Sequence, residues 1–257
     1  PLAGVPVGIK DIIETAGIRT TYASPLFKDN VPDEDALTVQ RIKAADGVIV
    51  GKTNTPEFAT GGNTNNAIFG ATRNPWNTDL TPGGSTGGGA AGLAAGMFAL
   101  ALGTDLGGSL RLPAAFCGVV GIRQTPGLVP FAPNPTPFDL FEVQGPMART
   151  AGDVALALSV LAAPDAGFPV GSHGSPEFEP KTAPLRIGYV EDISGVGIEA
   201  DIVAACGAAA GALTRHQVEE LELDLSEGRD AFTTLRGQWM VNKHLANLDR
   251  LDKMGDN

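Results

Sequence analysis

The chain has 257 residues, of which 43% are hydrophobic and 18% are charged, a balance typical of a folded globular protein. Its 18 lysine and arginine residues face 29 aspartate and glutamate residues, so the formal net charge is −11. This excess of acid argues against a nucleic-acid partner bound through its phosphates. Two cysteines, Cys117 and Cys206, are too few for a disulfide framework, and we expect reduced thiols.

Membrane insertion and secretion are not expected either. The longest apolar run, residues 90–102, is shorter than the roughly 20 residues that cross a bilayer as a helix. The first residues show no basic stretch followed by an apolar run, so we expect a cytoplasmic protein.

In the first part of the chain, predicted strands alternate with predicted helices. Alternating apolar residues at 5–9 predict a strand that ends at Lys10, and helical spacing at 35–45 leads to a buried strand at 48–50. Further along, the Gly/Ala-rich residues 87–102 predict a helix. A second apolar helix is predicted at 154–161, after Thr150 as its N-cap. The pattern predicts an α/β fold with βαβ units.

The composition changes after residue 165. Residues 168–184 are polar and rich in proline, glycine and serine, which predicts a loop or linker. A strand at 185–190, a helix at 200–213 and a strand at 218–225 form a second βαβ pattern, and residues 229–251 predict a long amphipathic helix.

We therefore expect a core at 1–165, a linker at 166–184 and a further α/β part of the same fold at 185–257. The chain opens at Pro1 without an initiator methionine, so we expect either a processed protein or a fragment of a longer one.

Two serines lie between glycines: Ser85 in GGSTGG and Ser109 in DLGGSLR. Glycine permits unusual backbone angles and lets a substrate approach main-chain N–H groups. At Ser109, the N–H groups of Leu106, Gly107, Gly108 and Ser109 are candidates for an oxyanion hole. Ordinary turns and phosphate-binding loops are the alternatives, although neither segment has the Lys–Ser/Thr pair of a Walker loop.

A serine nucleophile needs a base, which is usually a histidine. The three histidines, His173, His216 and His244, lie beyond the Gly-rich region in surroundings typical of solvated side chains. Lysine fills the role when burial holds it neutral, and Lys10, at the end of an apolar strand, is a candidate. A surface cation is the alternative for this lysine. No cluster of histidine or cysteine has metal-ligand spacing, so we expect no metal.

Several segments together resemble the amidase signature family, the hydrolases with a serine–serine–lysine triad. They follow the family's order between residues 4 and 155: GVPVGIKD with TTYAS, GKTNTPEF, FGATRNPWN, TPGGSTGGGAA, GTDLGGSLRLPAAFCGVVG and GPMARTAGDVA. The resemblance implies a mixed central sheet covered by helices on both faces. It also implies amide hydrolysis through a seryl acyl-enzyme, which requires no metal and no organic cofactor. Members of the family are typically longer, so the resemblance implies a fold truncated at both chain ends.

By the same resemblance, Ser109 is expected to be the nucleophile that attacks the amide carbonyl. Ser85, expected to follow a cis peptide bond, would relay the proton to Lys10, which is unprotonated at rest and later returns the proton to the leaving amine. The N–H groups of residues 106–109 would hold the oxyanion. Asp105 and Arg111 flank the nucleophile and are expected to support it, with ordinary surface pairing as the alternative.

Two positions depart from the family pattern. Thr86 stands where a second serine is usual, and we expect its methyl group to crowd the site. Residues 123–125, Arg-Gln-Thr, replace a common Lys-Pro-Thr run, and we expect this change to alter a turn near the core rather than the chemistry.

The leading interpretation is an amidase that acts on a small-molecule amide. The second is an amidotransferase A-type subunit that releases ammonia for a partner protein, although residues 138–145 do not resemble that group and the net charge gives no sign of a tRNA-facing patch. The third is an inactive fragment or a binding module. The sequence is also compatible with a homodimer. Four aromatic residues are candidates for an acyl pocket, with ordinary core packing favoured: Phe131, Phe138, Phe141 and Trp239.

Overall fold

The computed structural model describes residues 1–130, 132–133, 139–162, 183–193, 195, 197–223, 225 and 227–255. The chain divides into two compact units, Pro1–Glu177 with Asn247–Asn257, and Phe178–Ala246. Most of the predicted linker at 166–184 lies outside the described residues, as do His173, Phe131 and Phe138. The domain boundaries expected from composition therefore stay a prediction.

The first unit contains a five-stranded sheet. Its strands are β1 (Pro6–Lys10), β2 (Val48–Thr53), β3 (Leu100–Asp105), β4 (Val120–Gly121) and β5 (Val143–Ala148). They lie in the order β2-β1-β3-β5-β4. β1 runs parallel to β2 and β3, whereas β5 runs antiparallel to β3 and β4. The mixed sheet implied by the family resemblance is confirmed.

Helices cover both faces of this sheet. They are α1 (Leu37–Ala44), α2 (Gly87–Ala94), α3 (Arg111–Cys117) and α4 (Ala151–Leu161). Apolar residues of α1 and α4 share a core with alternate strand residues on one face: Val39, Ile42, Val154, Leu158, Val7, Ile9, Leu100 and Leu102. On the other face, α2 and α3 pack against β3 and β5 through a smaller core: Ala90, Leu93, Ala114, Cys117, Ala101 and Met147.

The predicted first βαβ unit, β1-α1-β2, is confirmed by the parallel pairing of its strands. The expectation that β2 is buried is wrong, because β2 lies at the edge of the five-stranded sheet and Val48 and Val50 are half exposed. The predicted cap of α4 is present, since the Thr150 hydroxyl accepts the N–H of Asp153 at 3.1 Å.

The helix predicted at 87–102 is wrong in its second half. α2 ends at Ala94, the chain turns at Gly96 with φ +72°, and Leu100 begins the central strand β3. All six residues of β3 are buried, because helices cover both of its faces. A strand buried on both faces is a continuous apolar run, which periodicity cannot distinguish from a buried helix.

The second unit contains a parallel strand pair. Its elements are β6 (Arg186–Tyr189), α5 (Ala200–Gly211), β7 (Gln217–Glu220) and α6 (Gly228–His244). The second βαβ pattern is confirmed, but β7 ends before residue 225 because its last pairing partner is Tyr189, the end of β6. The helix predicted at 229–251 ends as an α-helix at His244, and Leu245–Lys253 continue as a 3₁₀ helix. An amphipathic pattern does not separate these two helix types over so short a stretch.

No helix in the part of the chain described by the structure is long and apolar enough to cross a membrane.

Glycine allows α2 to approach the strands closely. A Cβ atom at Gly88 would lie 2.3 Å from the backbone nitrogen of Asn54, which follows β2. We expect Gly88→Ala to destabilise the fold by about 2–3 kcal/mol, because the backbone at Asn54 cannot move away as a flexible side chain would. Urea-induced unfolding measures this loss.

The matched control is Gly237→Ala, at an exposed helical glycine of α6 where a Cβ would meet nothing within 4 Å. Alanine there should be neutral or stabilise by up to about 1 kcal/mol, because it is the better helix former. Equal effects of the two substitutions would contradict the close approach of α2.

Candidate active site

Lys10 lies at the carboxyl end of β1, the strand between β2 and β3. Its side chain is fully buried. The Nζ atom donates to the hydroxyl oxygens of Ser85 at 2.6 Å and Thr104 at 2.8 Å. Burial disfavours the charged form of an amine, and neutral hydroxyl partners suit an amine that gains and loses a proton. The structure therefore places Lys10 in the core and not on the surface.

Ser85 lies two residues before α2, and it is fully buried. The Gly84–Ser85 peptide bond is cis, as the family resemblance implied. The next residue, Thr86, joins the two serine segments, because its N–H donates to the backbone carbonyl of Ser109 at 3.2 Å. The predicted triad residues are thus brought to one place by β1, the segment before α2 and the loop after β3.

The loop after β3 is organised by one carboxylate. Asp105, the last residue of β3, is fully buried and accepts hydrogen bonds from the N–H groups of Gly108 at 2.8 Å and Leu110 at 3.1 Å. The Arg111 guanidinium binds both oxygens of the same carboxylate at 3.0 Å. The expectation that Asp105 and Arg111 act as a supporting pair fits this geometry, which holds residues 106–110 in a tight turn.

Two effects oppose each other at Asp105. Burial alone would raise the pKa of its carboxyl, but the hydrogen bonds from Arg111 and from the N–H groups of Gly108 and Leu110 outweigh it. The pKa is therefore held below its usual value, and Asp105 remains an anion at neutral pH.

Of the four N–H groups expected to form an oxyanion hole, one is already used. Gly108 donates to Asp105, whereas Leu106, Gly107 and Ser109 donate no hydrogen bond to any residue in the described ranges. The last three therefore remain as candidate donors to a substrate oxygen, and they lie in a loop that is partly exposed.

Ser109 is half-buried, unlike Lys10 and Ser85. Among the described residues, no hydrogen bond joins the hydroxyls of Ser85 and Ser109. Hydrogen bonds of this kind are often long before a substrate binds and tighten only in the reacting complex.

Space for the Thr86 methyl group comes from a glycine. A Cβ at Gly103 of β3 would lie 2.3 Å from the Thr86 methyl carbon, so the absence of that atom accommodates the methyl. The Thr86 hydroxyl donates to the backbone carbonyl of Thr104 at 3.2 Å. The expected crowding is therefore relieved on the β3 side.

Two residues of the site were not predicted from the sequence. Thr104 is the second partner of the Lys10 amine, and its only sequence signal is its place directly before Asp105. Arg123 lies 3.8 Å from the Asp105 carboxylate, and it donates to the backbone carbonyl of Phe141 at 3.0 Å. The unusual residues at 123–125 thus contribute a second guanidinium near the loop after β3.

Two other sequence candidates belong to the second unit. His216 accepts the N–H of Leu185 at 3.1 Å. Trp239, also in that unit, lies under the Lys243 ammonium at 4.2 Å. Both cysteines are free, and burial raises the pKa of the Cys117 thiol to about 11, which suits an unreactive reduced thiol.

We expect Asp105→Asn to lower the free energy of unfolding by about 2–3 kcal/mol at pH 7, because the amide cannot accept every hydrogen bond of the carboxylate. A carboxyl whose pKa is depressed by folding stabilises the protein above its usual pKa near 3.8 and loses this effect as the pH falls further. The stability difference between wild type and variant should therefore shrink below about pH 4. Denaturant titrations across pH 3–7 measure it.

The control is Arg186→Gln, which removes an exposed pair with Glu219 at 3.1 Å and should cost at most about 1 kcal/mol. A pH-independent loss at Asp105 would show that packing, and not charge, explains its effect.

The amidase family model matches residues 1–257. The A-type subunit of the glutamyl-tRNA(Gln) amidotransferase of Roseiflexus castenholzii is 43% identical over 236 residues, which cover 88% of this chain and 47% of the relative. The chain thus spans about half the length of the curated relatives that it matches.

Solved structures agree with the fold. A bacterial aryl acylamidase of the amidase signature family superimposes with a TM-score of 0.86 at 32% identity, covering 95% of this chain and 53% of the other. The substrate complex of 6-aminohexanoate cyclic dimer hydrolase gives a TM-score of 0.80 at 33% identity, covering 85% and 48%. Family model, sequence relatives and structural neighbours converge, and the chain belongs to the amidase signature family.

Proposed function

We propose that this chain carries the reaction centre of an amide-cleaving enzyme in which Ser109 is the nucleophile, Ser85 the proton relay and Lys10 the base. The observation that supports it most directly is the buried hydrogen bond of 2.6 Å between Lys10 and Ser85, next to the segment that carries Ser109. A fully buried amine beside a hydroxyl is an arrangement suited to general-base catalysis.

In the proposed first step, the Ser109 oxygen attacks the carbonyl carbon of the amide. Its proton passes to the Ser85 oxygen, and the Ser85 proton passes to the neutral amine of Lys10. The negative charge that develops on the carbonyl oxygen is held by the N–H groups of residues 106, 107 and 109, since Gly108 is engaged by Asp105.

In the second step, the proton returns from Lys10 through Ser85 to the leaving nitrogen. This return matters because an amide nitrogen is a poor leaving group until it is protonated. The carbon–nitrogen bond breaks and an acyl group remains on Ser109. Water, activated through the same relay, then attacks the acyl-enzyme and releases the acid.

Sequence similarity favours one branch of this chemistry. Among the solved structures, the amidotransferase A subunit of Thermotoga maritima, at 30% identity and a TM-score of 0.75, lies no closer than the two hydrolases. Several sequence relatives, in contrast, are amidotransferase A subunits, such as the Roseiflexus castenholzii protein at 43% identity. We therefore propose an A-type amidotransferase subunit that cleaves an amide to release ammonia for a partner protein. A free-standing amidase is the second candidate, supported by the aryl acylamidase fold at a TM-score of 0.86 and by the acidic net charge.

The nucleophile is tested with a fluorophosphonate probe on the complete protein. Ser109→Ala should abolish labelling and lower amide turnover by about 10⁴-fold or more. Lys10→Met, which keeps the buried volume but not the base, should also lower the labelling rate by several orders of magnitude.

The control is Ser159→Ala, at an exposed serine of α4 whose hydroxyl donates to the carbonyl of Leu156, and it should label like wild type. Turnover retained in Ser109→Ala, or covalent labelling at another residue, would overturn the assignment.

The two branches differ in their dependence on a partner. For the amidotransferase branch, ammonia release from glutamine should rise at least about tenfold when a copurifying partner is present, and Ser109→Ala should abolish it. Hydrolysis of simple aliphatic or aromatic amides by the complete protein alone, without glutaminase activity, would instead establish the free-standing amidase.

A further inference from the structure

The segment directly after Lys10 folds back on itself, and we call residues 11–22 the return loop. The N–H of Ile13 donates to the backbone carbonyl of Lys10 at 3.0 Å. The N–H of Asp11 donates to the carbonyl of Thr53 in β2 at 3.0 Å, and the N–H of Tyr22 closes the loop on the carbonyl of Asp11 at 2.9 Å. The backbone of Lys10 is thus held by the first turn of this loop.

A second lysine reaches into the return loop. The Nζ atom of Lys52, in β2, donates to the backbone carbonyl of Ile13 and to the hydroxyl oxygens of Thr15 at 2.9 Å and Thr20 at 3.0 Å. Thr15 and Thr20 are fully buried. The Lys52 amino group therefore contacts both the first and the last part of the return loop.

Lys52 and Lys10 act from opposite faces of the sheet. In the parallel pairing of β1 and β2, Ile9 lies opposite Lys52 and Lys10 lies opposite Thr53. Successive side chains of a strand point to opposite faces, so Lys52 shares the face of Ile9 and not that of Lys10. The hydrogen bonds of the Lys52 amino group therefore reach the proposed base through the return loop.

The surroundings of Lys52 are enclosed and charged. Burial lowers the pKa of Lys52 to about 8, and attraction to nearby carboxylates opposes this change. The Asp11 carboxyl is itself buried, which raises its pKa, while hydrogen bonds from the N–H and hydroxyl of Thr21 oppose that shift. The charged and titratable groups around the loop are Asp11, Glu14, Arg19, Tyr22, Asp35 and Lys43.

We propose that Lys52 is a positioning residue for the Lys10 base. The path consists of two consecutive hydrogen bonds, from Lys52 Nζ to the carbonyl of Ile13 and from the N–H of Ile13 to the carbonyl of Lys10. These two hydrogen bonds fix the backbone of Lys10 and so orient its side chain toward Ser85. The inference rests on the proposed function, in which Lys10 accepts the proton of the nucleophile.

The test follows acylation of Ser109 by a fluorophosphonate probe in the complete protein, as a function of pH. In this reaction the Ser109 oxygen displaces fluoride from phosphorus, and its proton passes to the base. Lys52→Met should slow acylation about tenfold to a hundredfold per folded molecule, because a small displacement of a reacting group costs rates of this order.

The pH profile separates positioning from stability alone. When Lys10 is held less firmly, water stabilises its ammonium form, so the pH of half-maximal acylation should rise in Lys52→Met. Lys52→Arg keeps the charge and the donors, and it should recover most of the rate and the wild-type profile. Lys28→Met, at an exposed lysine nearby, is the matched control and should behave as wild type.

A second variant keeps the test informative if Lys52→Met does not fold. Thr15→Val with Thr20→Val removes two acceptors of Lys52 at nearly constant volume and should shift the profile in the same direction. A wild-type rate in the folded variants, or a slower rate with an unchanged pH profile, would overturn the positioning role. Failure of the proposed function is distinct, because then wild type shows no labelling that depends on Ser109.

Discussion

A fully buried amino group at the end of β1, an inner strand of the sheet, is the constraint on which the rest of the structure depends. An amine in a dry interior is tolerated only if it is neutral or well hydrogen-bonded. Lys10 has its hydroxyl partners in Ser85 and Thr104, which lie 75 and 94 positions away along the chain. The parallel pairing of β1 with β3 and the position of α2 on one face of the sheet bring them together.

Close packing makes this approach possible. Gly88 lets α2 contact the backbone at Asn54, and Gly103 leaves room beside β3 for the Thr86 methyl group. These glycines lie where a backbone or a buried side chain occupies the space of a Cβ. The glycines of this segment thus allow the helix to lie close to the sheet, and they also permit the turns around the serines.

The residues proposed for the reaction differ in their exposure to solvent. Lys10 and Ser85 are fully buried, whereas Ser109 lies half-buried in the loop that Asp105 organises. A relay of this kind keeps the base away from water while the nucleophile remains accessible to a substrate. Asp105, as an anion bound by Arg111 and by backbone N–H groups, holds the loop without taking the proton itself.

The sequence by itself determined the α/β class, the first βαβ unit and, through the family resemblance, the triad candidates Lys10, Ser85 and Ser109. Local spacing is enough for the class and the βαβ unit, because alternation and capping residues are properties of adjacent residues. The triad candidates needed the resemblance, since a glycine-flanked serine or a lysine at a strand end has ordinary alternatives. Only the tertiary structure decided that residues 100–105 form a strand and that Thr104, Arg123 and Lys52 contact the site or its supporting loop. The physical reason is that burial on both faces of a strand and hydrogen bonds between distant segments depend on strand register and helix placement, which no local pattern contains.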